Sequence, residues 1–310
     1  MVTVMPSVGK PMFDTALQAA AHAAGPQHYP AGALYVVATP IGNLADITLR
    51  ALHVLQRVDA IACEDTRHTQ QLLRAYGIDG QPLIAVHEHN EAEAAASIIA
   101  RLQQGQRVAC VSDAGTPAIS DPGARLAAAC AAAGLRVVPV PGASSITTAL
   151  SAAGLPGDGH FVFAGFLPTK SGERQTAVAA LVQEARAVVL LEAPHRITAL
   201  ANALAALGAR RITVARELTK QHEQVATLAC AELPVWLDAD VQRQRGEFAL
   251  VLHPAATAPD QDAAHAQRVL RLLLPELPLK TAVKLAADIT GAPRNALYAQ
   301  ALAWQSNADE

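Results

Sequence analysis

The chain has no CxxC pair, no GxGxxG, no HExxH and no phosphate-cradling loop, and each absence removes a class of function. Without GxGxxG between a strand and a helix, a dinucleotide loses the glycines that let backbone approach its pyrophosphate. The stretch GFLPTKSGER has Thr169, not glycine, before Lys170, so the turn of a triphosphate-binding loop is missing. His87, Glu88 and His89 stand close together, yet no third ligand follows at a familiar spacing, and no metal is expected. No apolar run reaches the ~18 residues of a spanning helix, and the start lacks a charged region followed by a signal-peptide core. Cys63, Cys110, Cys130 and Cys230 sit mostly among apolar or alanine-rich neighbours, which suits buried thiols in a reducing compartment. These points together predict a cytoplasmic protein with no membrane partner.

Charge is also scarce. At 16% charged residues and a net charge of -3, the surface is not broadly basic, so any nucleic-acid contact must be a local patch. What the chain has instead is apolar residues, 51% of 310, enough for two domains and an appendage.

Residues 1–32, rich in Ala, Pro, Gly and His, read as a loosely held, flexible extension with a short helical stretch at DTALQAAAHAA. From Ala33 the pattern becomes regular. ALYVVA, DAIAC, PLIAV, RVACV and RVVPV read as buried strands separated by helices such as ITLRALHVLQ and TRHTQQLLRAYG. That alternation predicts an α/β domain with a parallel sheet over 33–153. Over 154–254 the strands FVFAGF, AVVLLEA, RITVARE, QVATLACA and GEFALVL crowd together, some without helices between them, and predict a second α/β domain with a mixed sheet. A Pro/Ala/Asp linker leads to three short helices over 263–306, of helix-turn-helix flavour.

In a parallel sheet, ligands sit beyond the carboxyl ends of the strands, so the strand-to-helix loops are the places to look. In ATPIGNLADITL, Pro40 and Gly42 shape the turn, with Asp46 as the expected helix cap. In VSDAGTPAISDPG, Ser112, Asp113, Thr116 and Ser120 offer polar groups and Gly115 permits close approach. Pro117 and Pro122 stiffen the loop; as an ordinary long turn, it would serve only to let Asp121 cap the next helix. In VPVPGASSITTAL, Ser144 and Ser145 open a helix whose free amides suit an anion or polar ligand. Lys170 and Arg174 are candidates for phosphate contact.

The motifs ATPIGNLADITLRAL, CEDTRHT, HEHNE, VSDAGTPAISDPG, PGASSITTALSAAGLP, GFLP, EAPHR, ARELTK and GEF, in that order, resemble the tetrapyrrole methylase superfamily over 33 to about 253. They are closest to its branch of ribosomal small-subunit RNA methyltransferases, whose small helix-turn-helix domain the tail resembles. The resemblance implies two α/β domains of the tetrapyrrole methylase type with a cleft between them, plus a small C-terminal helical domain. It also implies S-adenosyl-L-methionine as cofactor, 16S rRNA in the small ribosomal subunit as partner, and a homodimer. The reaction it implies is methylation of the ribose 2'-hydroxyl of a cytidine in the decoding centre.

By the same resemblance, Thr39, Pro40, Gly42, Asp113, Ala114, Gly115, Thr116, Ile119, Ser120, Ser144 and Ser145 line the cofactor cleft from the first domain. Leu191, Glu192 and Glu247 close it from the second, with Leu191 standing where the family often has an aromatic residue. Glu64, Asp65 and Lys220 are the catalytic candidates, with His87 and Glu217 behind them. Arg67, Lys170, Arg174, His195 and Arg196 are the expected RNA contacts, because cations and forked guanidiniums suit phosphate. Two other readings stay open: carbon methylation of a tetrapyrrole, and a non-catalytic RNA-binding module.

Overall fold

The computed structural model describes residues 13–87, 90–120, 123–155, 159–255 and 261–306. Glu88, His89, Asp121 and Pro122 lie outside the described residues, and with them part of the His-Glu-His stretch and the expected Asp121 cap.

The first unit comprises α1 (Asp14–Ala24), β1 (Ala33–Val37), α2 (Leu49–Arg57), β2 (Ala60–Cys63), α3 (Thr66–Ala75) and β3 (Leu83–Ala85). It continues through α4 (Glu91–Gln103), β4 (Val108–Cys110), α5 (Ala124–Ala132), β5 (Arg136–Val140) and α6 (Ser145–Ala152). Its sheet runs β3-β2-β4-β1-β5, every pairing parallel. A parallel sheet needs cover on both faces, and the two-residue period of its strands supplies two apolar sides. Tyr35, Val37, Ile61, Cys63, Ala109 and Val111 pack with residues of α1, α2 and α3. Leu34, Ala60, Ala62, Val108 and Cys110 pack with α4 and α5. All four cysteines are buried free thiols, and burial pushes Cys110 up to about 12 and Cys230 up to about 11, which leaves them unreactive.

Two local expectations are corrected. Asp46 does not cap α2. It ends a short 3-10 turn capped by Asn43, whose side chain accepts from the Ala45 amide at 3.0 Å. Ile47 then runs extended, and Thr48 becomes the cap by accepting from the Ala51 amide at 3.1 Å. Nor are residues 13–32 loosely held. Ala20 and Ala24 of α1 are buried against the first core, and Phe13 meets Tyr76 edge-on at 5.0 Å between ring centres. Tyr29 lies 4.9 Å from the His53 ring, and its carbonyl accepts from Arg107 Nε at 3.2 Å. The alanine-rich composition that suggests a tail is what lets α1 lie close on α2.

The second unit comprises β6 (Phe161–Gly165), α7 (Ser171–Ala180), β7 (Ala187–Glu192), α8 (Ile197–Leu204), β8 (Arg211–Arg216), β9 (Gln224–Ala229), α9 (Leu233–Asp238) and β10 (Phe248–Leu252). Its sheet runs β6-β7-β10-β8-β9, with β6 and β7 parallel and the other pairs antiparallel. Val188, Leu190, Ile212, Val214, Leu250 and Leu252 face α8 and α9. The alternate residues Ala187, Val189, Ala215, Ala249 and Val251 pack with Ile41 from the first unit and with Ala149 of α6. One apolar cluster therefore joins the lobes. It sets the loops at the top of the first sheet beside the rim of the second.

The tail is α10 (Gln261–Leu273), α11 (Leu279–Thr290) and α12 (Arg294–Ser306), packed around Leu270, Ala282, Val283, Ala286, Leu297 and Ala301. Gly291 ends α11 at φ 75°, a left-handed position that glycine adopts without strain.

Candidate functional site

β1 and β4 leave the sheet side by side, and their loops lock together. Thr39 and Gly115 exchange both backbone hydrogen bonds, at 2.9 and 3.0 Å. Thr39 Oγ1 donates to the Ser112 carbonyl at 3.1 Å, and the Ser112 hydroxyl lies 3.2 Å from the carbonyls of Ala114 and Gly115. Thr116 Oγ1 donates to the Ala143 carbonyl at 3.1 Å, tying this loop to the one after β5. Three of the expected ligand groups are thus turned inward and shape the loop. Gly115 has φ 80°, and a Cβ there would stand 3.3 Å from Ile41. Ala118 holds φ 70°, a conformation that costs a residue with a Cβ about 1 kcal/mol or more and that clusters at functional sites. Ala114, Ile119 and Ser120 are exposed, Asp113 is half-exposed, and Pro40 is buried. Asp113 Oδ1 accepts from the Asp65 amide at 3.3 Å, linking β4 to β2.

The β5 loop crosses so close to β1 that a Cβ on Gly142 would stand 2.9 Å from the Cβ of Ala38. It delivers Ser144 to the N-cap of α6, where its hydroxyl makes no capping bond, with Ser145 as the first helical residue. The helix start thereby keeps polar groups for a ligand.

From the second lobe comes a cluster of ion pairs. Lys220 Nζ lies 2.9 Å from Glu217 Oε1 and 2.8 Å from Glu247 Oε2. Glu217 Oε1 also accepts from the Glu247 amide at 2.9 Å, and the Glu217 amide donates to the Glu247 carbonyl at 2.9 Å. Burial alone would lower the Lys220 pKa, but hydrogen bonds to Glu247 and Glu217 outweigh it and raise the value, so Lys220 is an ammonium. Burial likewise opposes ionisation of Glu217, and its bonds with Lys220 and the Glu247 amide win. Glu217 and Thr219 hold φ 51° and 65°. The Asn43 amide donates to Thr219 Oγ1 at 3.1 Å, so the β1 loop and this turn are bonded across the lobes.

Glu192, at the end of β7, is buried. Its Oε1 is 3.0 Å from Arg196 Nε and accepts from the Ala193 amide at 2.9 Å, while Oε2 has no hydrogen-bond partner. Arg196 also donates to the Leu167 carbonyl. Leu191 is half-buried.

Of the expected cations, Arg67 is exposed and pairs with Asp65 at 3.3 Å, Lys170 is exposed and pairs with Glu173 at 3.1 Å, and His195 is exposed. Arg174 is buried beneath its loop and donates to the Thr169 carbonyl at 3.1 Å. Asp65 is the cap of α3, accepting from the Arg67 amide at 2.8 Å and the His68 amide at 3.4 Å. Its bonds to the Arg67 side chain and amide hold its pKa below the usual carboxylate range. Glu64 is its exposed neighbour. The first-sheet order puts β4 between the Asp65 loop and the Gly42 loop, so Asp65 and Lys220 approach the cleft from different sides. In the HEHNE stretch, Asn90 bonds the His87 amide at 2.8 Å and the Ala85 carbonyl at 3.0 Å, a turn-forming role. Among the described residues, no three His, Cys, Asp or Glu side chains gather as a metal site.

The sequence reading missed the inter-lobe bond of Asn43 with Thr219, and it placed Glu217 only in the background. The Gly246-Glu247 pair carried a signal, since a Cβ on Gly246 would stand 2.4 Å from the Glu217 side chain.

Comparison with known proteins places this geometry. Residues 33–234 match the model of the Tetrapyrrole (Corrin/Porphyrin) Methylases, and residues 260–305 match the RsmI C-terminal HTH domain. Two relatives are each named ribosomal RNA small subunit methyltransferase I. One, from Escherichia coli O157:H7, is 50% identical over 88% of this chain and 96% of its own length. The other, from Neisseria meningitidis serogroup B, is 51% identical over 89% and 94%. Among solved structures, the uroporphyrin-III-C-methyltransferase from Thermus thermophilus aligns with TM-score 0.52 at 24% identity, over 72% of this chain and 94% of that one. The cobalt precorrin-4 methyltransferase aligns with TM-score 0.54 at 18% identity, over 73% and 98%. The two solved structures share the fold; the curated relatives share half of their residues over nearly their whole length. The chain belongs to the tetrapyrrole methylase family and, within it, to the ribosomal RNA small subunit methyltransferase I family of S-adenosylmethionine-dependent enzymes.

Proposed function

We propose that this protein methylates the ribose 2'-hydroxyl of a cytidine in the decoding centre of 16S rRNA, acting on the small ribosomal subunit in the cytoplasm as a homodimer. The observation that carries the reading is the rigid pair of loops after β1 and β4, bonded through Thr39 and Gly115 and placed against a second lobe by the Asn43–Thr219 bond. Relatives at about half identity, whose names specify ribosomal RNA, support the substrate class. Carbon methylation of a tetrapyrrole has behind it the broad family match and likeness of fold to structures at 24% identity or less.

The cofactor is S-adenosyl-L-methionine, and the residues present suit it. Ile119 and Leu191 offer apolar surface, Asp113 a carboxylate for a hydroxyl or ammonium, and Ser144 an unused hydroxyl at a helix start. Bound there, the cofactor supplies an electrophilic methyl group on a sulfonium. The protein's own task is mainly alignment, which contributes up to ~7 kcal/mol or more in favourable cases. Loops locked by Thr39, Ser112 and Thr116 make that alignment available before binding. A 2'-hydroxyl is a weak nucleophile until its proton leaves, and Glu64 and Asp65 are the carboxylates assigned to receive it. Asp65 is a weakened base because Arg67 holds its charge. Lys220, fixed as an ammonium between Glu217 and Glu247, is assigned to orient the ribose hydroxyl as a hydrogen-bond donor. Arg67, Lys170 and His195 are assigned to the RNA backbone, with Arg174 and Arg196 holding the 166–170 loop from beneath.

The test is transfer from labelled adenosylmethionine to purified small ribosomal subunits, followed by mapping of ribose-methylated positions in the 16S rRNA. A single ribose methylation on a decoding-centre cytidine is expected; base methylation, or transfer only to a tetrapyrrole acceptor, sinks the reading. Sedimentation of the free enzyme as a monomer would remove the homodimer.

A further inference from the structure

β6 is irregular where it reaches the rim. Its pairing with β7 runs Phe161↔Ala187, Val162↔Val188 and Phe163↔Val189, then skips a residue to Gly165↔Leu190. The skipped residue is Ala164, and Gly165 takes φ 64°, the left-handed conformation that such bulges use. The consequence is a change of parity. Phe163 packs with the cluster between the lobes, yet Leu167, four residues on, packs with the opposite face of the sheet. In an unbroken strand these two would share a face.

Phe166 is left between them at the carboxyl end of β6, 51% exposed. Phe161, the other comparably exposed phenylalanine, lies at the opposite end of the same strand. The next residues are held in shape. Arg196 donates to the Leu167 carbonyl while paired to buried Glu192, and Arg174 donates to the Thr169 carbonyl. One buried and one half-buried guanidinium thus fix a short loop whose outward groups are an aromatic ring and the Lys170 ammonium, with His195 exposed just past the end of the neighbouring strand. Phe166 is therefore presented to solvent by a constrained loop.

The strand order β6-β7-β10-β8 sets the direction of this feature. At ~4.8 Å between strands, Phe166 stands roughly 10 Å along the rim from the start of β10, where Glu247 meets Lys220. It flanks the cleft at the distance of a neighbouring nucleotide. Ring, ammonium and imidazole together match single-stranded RNA, whose bases stack on aromatic faces while cations take the phosphates.

Given the RNA substrate proposed above, we propose that Phe166 is a stacking platform for an unpaired base next to the target nucleotide, with Lys170 and His195 on the adjoining phosphates. It is a binding residue for the RNA and takes no part in the methyl transfer itself.

The test compares Phe166→Ala, Phe166→Leu and Phe166→Trp with the parent in methylation of purified small ribosomal subunits. Stacking onto aromatic residues predicts a KM for the subunit raised about tenfold or more in Phe166→Ala and Phe166→Leu, and restored in Phe166→Trp. The Kd for adenosylmethionine, measured by calorimetry, is expected to stay within about twofold, which also certifies folding. Restoration by leucine as fully as by tryptophan would overturn stacking, and so would an effect on kcat alone. A changed sedimentation coefficient with unaltered KM would assign the ring to contact between copies and overturn the proposal. A photoreactive benzoylphenylalanine at 166 gives an independent reading: crosslinks to 16S rRNA are expected, and crosslinks only to protein would refute it. If the parent enzyme transferred no methyl group to the subunit, the broader assignment would fail; if the parent worked and the variants matched it, only the role of Phe166 would.

Discussion

At Gly42 the first lobe lies close against the second, and Gly42→Ala measures how stiff that contact is. A Cβ built on Gly42 would stand 2.5 Å from Lys220 Cγ, 2.9 Å from Thr219 Oγ1 and 3.0 Å from the Leu218 carbonyl oxygen. The closest of these is about 0.9 Å inside the 3.4 Å at which ordinary contact begins. Gly42 has no positive φ, so alanine brings no backbone strain, and by restricting the unfolded chain it should stabilise by ~0.4–1 kcal/mol. Overpacking opposes this with ~1–3 kcal/mol. Lys220 cannot simply step aside, because its ammonium is held by Glu217 and Glu247. The steric term therefore wins, and Gly42→Ala should lower stability by about 1–2 kcal/mol. Lys220→Ala removes the nearest obstacle and loses two ion pairs. The Glu247 side chain is 74% exposed, so that arm is worth little, and the whole loss should be near ~1 kcal/mol. Because the two sites touch, the double variant should lose less than the sum, by a coupling of about 1 kcal/mol, well beyond the ~0.3–0.5 kcal/mol scatter of independent sites. Relief is partial, since Leu218 and Thr219 stay in place. Urea unfolding of the four proteins completes the cycle, with adenosylmethionine affinity alongside. Additive losses, or a Gly42→Ala protein more stable than its parent, would refute the reasoning.

Asp65 both caps α3 and is a candidate for the chemistry, and Asp65→Ser separates the roles because serine also caps. Thermal stability should be nearly retained and methyl transfer lost, with cofactor Kd unchanged; normal turnover would free Asp65 of any chemical duty. His53 is buried with its Nε2 unbonded, and burial together with Arg57 lowers its pKa. The folded state thus favours the neutral ring, so its unfavourable share grows as pH falls below the ordinary value near ~6.5. His53→Leu should raise the urea midpoint more at pH 5.5 than at pH 8, and equal shifts at the two values would contradict this. His253, lowered chiefly by burial, acts in the same direction, so the variant removes part of the pH slope and not all. Deleting residues 1–31 uncovers the α2 face that α1 and Tyr29 protect, so Tm should fall by several degrees while adenosylmethionine affinity holds. An unchanged Tm would return the segment to the status of a tail.

Strands and loops were legible to different degrees for a physical reason. Strands such as DAIAC and RVACV announce themselves because a doubly covered parallel sheet demands unbroken apolar runs, whereas RVVPV, read as buried, is a half-exposed edge strand that needs cover on fewer positions. The polar loop at 112–120 was legible as a built feature because an ordinary turn does not need its density of proline, glycine and hydroxyls. The direction of those hydroxyls was not. Thr39 and Thr116 bond the backbone of neighbouring loops, with acceptors far away in the chain, while Ser112 bonds carbonyls of its own loop. Residues 13–32 misled because alanine marks both a weakly held segment and a helix that packs closely; what decides is the surface waiting on α2.

The inter-lobe contact shows the same limit more sharply. Glu217 and Thr219 adopt left-handed conformations, which residues with side chains seldom hold unless their surroundings over-determine them. Here the determinants lie on three segments: the Glu247 backbone pairs with Glu217, Lys220 spans two carboxylates, and Asn43 reaches Thr219 from the other lobe. Lys220 and Glu223 act within the turn itself, but Asn43 and Glu247 come from far along the chain, so a local pattern announces the turn only in part. A turn so held is stable only while both lobes are in place, which makes the geometry of the cleft depend on their contact and joins cofactor affinity to the stability of that contact. Weakening the contact at Gly42 should therefore reach the cofactor even though Gly42→Ala removes no polar group, and an affinity that ignored the Gly42–Lys220 coupling would separate the two lobes' roles.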